Sequence, residues 1–332
     1  MKVENKLTGL LNIDFPIIMA PMFLVSNLEM MKAGIRSGIM ATFPTLNYRK
    51  EGELEKILDE LNDYSKQFSG SYGVNIIVQK SNPLSIKHTK ICLDKKVPFF
   101  ITSLGNPKEV IEGAHQYGGK VFCDVTNIEH AKKCDSVKCD GFIAVGQGAG
   151  GHAGPNPLQV LIPALKEHFP NVPVVVAGGI TNGAGLLSVQ ILGASGVSIG
   201  TRFIASTEAG VNDNYKNAIV SSGMEDIVMT TKLSGTPCAV INNDAAKKMG
   251  YTQNWFERWM SNNPQTKKWF KMLVRVRGMK KLEKSVLPNN YNSLWTAGKS
   301  SELVHDIISC EAIVSRIKAE YAQSLKEIVA SV

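Results

Sequence analysis

Residues 145–154 read "VGQGAGGHAG", five glycines and one histidine in ten positions. Gly146, Gly148 and Gly151 have the G-x-G-x-x-G spacing of a dinucleotide-binding turn. Such a turn needs a helix starting at its third glycine and an acid about twenty residues further on. Here "HAGPNPLQ" follows, and Pro155 and Pro157 keep a helix from starting at once. The stretch also follows the sixth short apolar run of the chain, whereas the dinucleotide fingerprint usually sits on the first. A Rossmann turn is therefore rejected, and the runs around the glycines decide the fold.

Those runs are "PIIMAPM" (16–22), "GIMATFP" (38–44), "YGVNIIV" (72–78), "PFFITSL" (98–104), "KVFCDV" (120–125), "GFIAVG" (141–146), "VPVVVAGG" (172–179) and "GVSIGTRF" (196–203). They are brief, rich in β-branched residues and not alternating, as expected of parallel strands covered on both faces. Helix-like stretches separate them, among them "EGELEKILDELNDYSKQF" and "NPKEVIEGAHQYG". In the latter, Asn106 suits an N-cap and Pro107 a first helical turn. Eight such units in about two hundred residues predict an α/β protein of the (β/α)8 TIM-barrel class rather than a doubly wound sheet. From about 211 the pattern turns helical, with polar connections such as "SNNPQTKK" and "VLPNNYNS". The expectation is a barrel made of residues 1–222 and 296–332, interrupted by a mainly helical substrate or lid domain at 223–295. A last helix is expected over roughly 300–328.

The chain of 332 residues is 44% hydrophobic and 20% charged, an ordinary soluble composition. No apolar run approaches the ~20 residues of a membrane-spanning helix. The first residues carry acids and lack a signal-peptide core, so the protein reads as cytoplasmic. The six cysteines show neither C-x-x-C nor zinc-ligand pairing and read as free, buried thiols. Net charge is 37 − 29 = +8, with many of the bases between Lys247 and Lys284. There "QTKKWFKMLVRVRGMKKLEK" mixes bases with aromatics, as nucleic-acid sites do. It reads more simply as a basic amphipathic helix packed on its own domain, so neither nucleic acid nor membrane is expected as a partner. A homodimer is left open.

Barrels of this class carry their chemistry at the C-terminal ends of the strands, and the loops after the last two strands commonly hold phosphate. This makes Gly178, Gly179, Gly200 and Thr201 phosphate-site candidates from position alone. Arg202 either helps neutralise that phosphate or pairs with a carboxylate behind it. His152, in the loop after the sixth strand, has an ordinary pKa near ~6.5 that suits proton transfer at neutral pH. His88, His115, His130, His168 and His305 lie in helix-like or polar stretches and read as surface residues. No metal site is expected.

At this point the segments "IIMAPM", "YGVNIIV", "GNP", "GQGAGGHAG", "VVVAGGI", "SIGTRF" and "LWTAGKSSELVHDI" can be set side by side. Together they resemble the nitronate monooxygenases, once called 2-nitropropane dioxygenases, in order from about residue 8 to 325 and least at 245–290. The sister family is the flavin-dependent enoyl-[acyl-carrier-protein] reductases, which the same motifs do not separate cleanly. The resemblance implies a barrel carrying FMN, its phosphate at Gly178, Gly179, Gly200 and Thr201. Ala20, Pro21 and Met22 would border the isoalloxazine, Asn75 would hydrogen-bond the ring or ribityl region, and Gly150 and Gly151 would pass close to the flavin. His152 aligns with the family's active-site histidine. In one departure, some members have lysine at the end of strand five, where this chain has Asp124. A carboxylate is ill suited to stabilise a reduced, anionic flavin.

The implied reaction is oxidation of an alkyl nitronate, or of a nitroalkane deprotonated by His152, with O2 to a carbonyl compound and nitrite. The alternative is an FMN-dependent enoyl-ACP reductase in which NAD(P)H reduces the flavin and His152 protonates the product. The basic region would then meet an acyl carrier protein. A non-enzymatic flavin or nucleotide sensor would need no titrating group among the glycines. An IMP-dehydrogenase-like barrel would need a cysteine after strand six, and none occurs between Cys139 and Cys238.

Overall fold

A computed structural model of the protein describes residues 1–79, 82–233, 235–252 and 294–331, with residues 254, 255, 259, 260, 274, 277 and 278 between the last two spans. Each of the eight apolar runs supplies one strand: β1 (Ile17–Met19), β2 (Met40–Pro44), β3 (Ser71–Ile77), β4 (Phe99–Ser103), β5 (Lys120–Val125), β6 (Gly141–Val145), β8 (Val174–Ala177) and β9 (Gly196–Ile199). They form a closed barrel in the order β1-β2-β3-β4-β5-β6-β8-β9. β9 closes onto β1 in parallel register, Ile17 opposite Val197 and Met19 opposite Ile199. This is the expected (β/α)8 architecture. The eighth run is shorter as a strand than its sequence suggests. The Gly200 carbonyl accepts from the N–H groups of Phe203 and Ile204, which turns Thr201–Ile204 into one helical turn.

The interior is filled by Ile18, Met40, Phe99, Ile101, Phe122, Ile143 and Val175, with Phe99 and Phe122 edge to face at 5.2 Å. A short helix, α1 (Lys6–Leu11), was not anticipated. Asn5 and Thr8 cap it reciprocally, and its Leu7 and Leu11 join the interior cluster. The Asn5 amide donates to the Ser195 carbonyl just before β9, so α1 plugs the N-terminal end of the barrel.

Seven helices form the outer layer: α2 (Leu28–Arg36), α3 (Glu53–Ser65), α4 (Ser85–Asp94), α5 (Lys108–His115), α6 (Ile128–Asp135), α7 (Leu158–His168) and α8 (Gly183–Ile191). In α3 the buried Leu54, Leu58 and Leu61 recur at helical spacing, which is why the stretch was legible. At α5, Pro107 rather than Asn106 occupies the N-cap, and Asn106 contributes by accepting from the Lys108 N–H at 3.1 Å. His88 departs from its expected surface position. It is 4% exposed on α4, its Nδ1 has no hydrogen-bond partner, and burial lowers its pKa. The six cysteines are free thiols, all buried except the half-buried Cys134.

The segment from 223 onward opens on a 3-10 turn, Met224–Asp226, and continues with two strands. β10 (Ile227–Thr230) and β11 (Cys238–Ile241) pair antiparallel. β11 also pairs with β7 (Gly151–His152), Cys238 opposite His152 and Ala239 opposite Gly151. A short helix, Asp244–Met249, follows. The basic aromatic stretch between Gln265 and Lys284 lies almost wholly outside the described residues. The chain returns through a 3-10 turn at Lys299–Leu303, and the last helix begins at Cys310 and runs to Ser331. It packs so closely on α8 that a Cβ on Gly183 would lie 2.0 Å from the Tyr321 nitrogen. Among the described residues no helix is long and apolar enough to cross a membrane.

Candidate active site

At the C-terminal end of the barrel the loops after β6 and β8 meet backbone to backbone. Gly178, with φ of +112°, faces the 148–149 peptide, and a Cβ there would lie 2.5 Å from the Ala149 nitrogen. Gly150 is held in the same way by the returning segment, where a Cβ would meet the Gly298 nitrogen at 2.6 Å. The Gly298 N–H donates in turn to Thr201 Oγ1 at 3.0 Å. Tyr215 fixes that returning segment, donating to the Thr296 carbonyl at 2.6 Å while its ring stacks on Trp295. Gly179 differs from its neighbours. Its φ of +80° disfavours a side chain, yet nothing lies within 4 Å of where a Cβ would stand. Gly151, whose φ is +68°, likewise has nothing within 4 Å of where a Cβ would stand.

The loop after β1 completes this side. The Ala20 N–H donates to the Ile199 carbonyl. A Cβ on Gly200 would stand 3.6 Å from Ala20 Cβ and 3.7 Å from Met22 Sδ. Asn47 clamps the loop: its Nδ2 donates to the carbonyls of Met22 at 3.3 Å and Ser26 at 2.8 Å, and its Oδ1 accepts from the Leu24 N–H at 2.8 Å. Leu24 adopts φ of +58°, a strained conformation for leucine that this clamp holds in place. Ser26 Oγ accepts from the Met22 N–H at 3.0 Å.

Across the mouth, the ends of β3, β4 and β5 carry side chains instead of glycines. Asn75 Nδ2 donates to the Ile101 carbonyl at 3.1 Å and to Ser103 Oγ at 2.8 Å. Ser103 Oγ–H donates to Asp124 at 2.5 Å. Burial raises the Asp124 carboxyl to about 6, opposed by the Ser103 hydrogen bond. His152 lies on β7, exposed, and is carried by the register against β11 rather than by a free loop. Arg202 turns away from the mouth. It is 4% exposed, and its Nη2 contacts Asp306 Oδ1 at 2.6 Å while Nη1 donates to the Asp306 carbonyl at 2.9 Å. Of its two possible roles, the structure gives it the carboxylate behind the site.

The sequence profile of the family described as "Nitronate monooxygenase" matches residues 43–320. The chain belongs to the nitronate monooxygenase family. A protein named "Probable nitronate monooxygenase" from Staphylococcus saprophyticus is 30% identical over 297 residues, covering 75% of this chain and 81% of the relative. A substituted octahydro-1H-indene-4-carboxyl-CoA dehydrogenase from Rhodococcus jostii is 28% identical, covering 76% of this chain and 69% of its own length. Among solved structures, FabK from Thermotoga maritima superposes with a TM-score of 0.85 at 27% identity, covering 99% of this chain and 100% of that one. A nitroalkane oxidase from Streptomyces ansochromogenes shares the fold, with a TM-score of 0.74 at 21% identity over 98% of this chain and 100% of that one. Both named activities among the sequence relatives are oxidations, and this chain is an oxidoreductase of the nitronate monooxygenase family.

In this nitronate monooxygenase family member the structure gathers Ala20, Met22, Gly200 and Thr201 with Gly150, Gly178 and Gly179 on one side of the mouth, and ties Asn75 to the other. Pro21 lies between Ala20 and Met22 on the clamped loop. Sequence reasoning assigned no role to Asn47, Ser103 or Gly298. Asn47 and Ser103 carry no motif, and only distance relations in three dimensions mark them. Gly298 had a signal, since it sits in the "TAGK" of the last resembling segment.

Proposed function

We propose that the protein is an FMN-dependent nitronate monooxygenase that oxidises alkyl nitronates with O2 to a carbonyl compound and nitrite. The observation that carries this reading is His152 on β7, next to Gly151 in the segment after β6, whose Gly148 and Ala149 pack against Gly179 and Gly178. A flavin phosphate fits this chemistry. Gly178, Gly179, Gly200 and Thr201 offer backbone N–H groups, and the Thr201 hydroxyl keeps its own hydrogen to donate while accepting from Gly298. Ala20, Pro21 and Met22 border the ring, Gly150 and Gly151 pass beside it, and Asn75 supplies a polar contact from β3. Gly150 has a packing reason of its own against Gly298, so its glycine is required either way.

When bound, FMN supplies the one-electron and O2 chemistry that no side chain can. The chain's own groups bind, orient and move the proton. His152, neutral, takes the carbon-bound proton of a nitroalkane at a ring nitrogen; protonated, it holds a nitronate oxygen. The β7–β11 register fixes the backbone that carries that ring. It also supports taking residues 223–295 as the segment that covers the substrate, since β11 belongs to it.

A second reading has specific support. The likeness to FabK runs over 99% of the chain, and a relative is named for a CoA thioester. Under this reading the protein is an FMN-dependent enoyl-thioester reductase that takes electrons from NAD(P)H and meets an acyl carrier protein. One experiment separates the two: anaerobic reduction of the purified flavoprotein by an alkyl nitronate, NADH and NADPH in parallel. Bleaching by the nitronate alone supports the monooxygenase, and rapid bleaching by NADH or NADPH supports the reductase. A colourless protein that ignores added FMN overturns both.

A further inference from the structure

Three strand ends form a directed chain of hydrogen bonds that the proposed reaction does not use. Asp124 is the last but one residue of β5, Ser103 ends β4 and Asn75 lies two residues from the end of β3. A carboxylate oxygen can only accept, so the Ser103 hydroxyl must spend its single hydrogen on Asp124. Ser103 Oγ is then left with lone pairs toward Asn75, and it accepts from Nδ2. The second Nδ2 hydrogen goes to the Ile101 carbonyl. With both amide hydrogens committed inside the protein, the polar atom Asn75 can offer to a ligand is Oδ1, an acceptor. A lysine at position 124 would donate to Ser103 instead. The serine hydrogen would then point at Asn75, against the amide orientation that the Ile101 carbonyl requires.

We propose that Asp124 is a positioning residue: by making Ser103 an acceptor it holds the Asn75 amide, together with the Ile101 carbonyl, so that Oδ1 meets an N–H or O–H donor of the flavin. This rests on the FMN reading above. The acceptor matches the imide N–H of an isoalloxazine or a ribityl hydroxyl, the donors such a cofactor carries. It also gives Asp124 a task at a place where a negative charge would otherwise be a liability to an anionic flavin. Ionised, the Asp124 carboxylate can only accept, and this fixes the direction of the chain.

The test is FMN titration of the apoprotein, followed by flavin fluorescence and by the visible spectrum of the bound cofactor. Ser103→Ala and Asp124→Ala remove a link of the chain and are expected to weaken FMN about tenfold, the worth of one well-formed hydrogen bond, and to shift the visible band. Asp124→Asn keeps an accepting oxygen without charge and is expected to stay within roughly threefold of wild type with an unshifted band. A residue that merely stiffened the barrel would not move the spectrum, and its loss would not be rescued by asparagine. Should Asp124→Ala not fold, Ser103→Ala breaks the same chain at its middle. Wild-type affinity and spectrum in Ser103→Ala overturn the inference, as does an Asp124→Asn as weak as Asp124→Ala. Wild-type protein that takes up no FMN overturns the cofactor reading and this inference with it, an outcome distinct from the others.

Discussion

The two sides of the barrel mouth are built by opposite means. Around β6, β8, β9 and β1 the chain removes side chains: Gly178 and Gly150 let backbones approach where a methyl group has no room, and Gly179 leaves space open. Around β3, β4 and β5 it adds them, as an Asn–Ser–Asp chain of hydrogen bonds. The first construction suits a bulky, charged group held by main-chain N–H donors, which needs proximity more than specificity. The second suits a flat ring edge, where one acceptor or donor in the right place decides fit. The difference teaches that glycine content alone does not mark a binding loop. Gly178 is required by packing, whereas its neighbour Gly179 meets nothing that the protein itself supplies.

The largest effect is expected at His152 on β7. His152→Asn should lose about 10²–10⁴-fold in turnover of neutral nitroalkanes and much less on preformed nitronates. Equal losses on both substrates would assign His152 to anion binding instead of proton removal. The glycine side is sharpened by a pair of variants. Gly178→Val should destabilise the fold by about 3 kcal/mol or more, because its Cβ clashes with fixed backbone. Gly179→Val should fold with a smaller loss, about 1–3 kcal/mol for the strained φ, yet fail to retain FMN. Thermal unfolding and flavin content measure both. If the two variants behave alike, the distinction between packing glycine and cradle glycine fails.

Smaller effects test the supports. Asn47→Ala removes three hydrogen bonds from the loop bearing Met22, and a stability loss of about 1–3 kcal/mol is expected by denaturant unfolding. A loss confined to flavin affinity, with stability unchanged, would show that the loop is held by something else. The smallest effect concerns pH. Asp124 titrates at about 6 when folded against 3.8 unfolded, so the folded state holds its proton more tightly. That contribution is fully present below 3.8 and is lost as pH rises through about 6. Asp124→Asn removes it, so the melting temperature of the variant minus that of wild type should increase between pH 4 and pH 7. A difference flat across that range would mean the carboxyl is not desolvated.

Much of the fold was legible because parallel strands, buried on both faces, leave unbroken apolar runs, and all eight runs became barrel strands. What escaped were elements made by partners distant in the chain. Gly151–His152 is a strand only because β11 pairs with it, and nothing in "GGHAG" announces that. β10 and β11 are four residues each, too short for periodicity to tell strand from helix. His88 sits in the polar-looking "SIKHTK", but the helix turns its face inward.

For the candidate site, order along the chain was enough to place Gly178, Gly179, Gly200, Thr201 and His152 at one end of the barrel, since every strand points the same way. Order could not say that Arg202 faces Asp306, that Asn47 clamps the Met22 loop, or that Ser103 joins Asn75 to Asp124. Hydrophobic burial is nondirectional and is written into composition along a segment, so one sequence determines layers and strand count. Hydrogen bonds demand distance and angle between residues far apart in sequence, so only the closed barrel decides which polar groups meet.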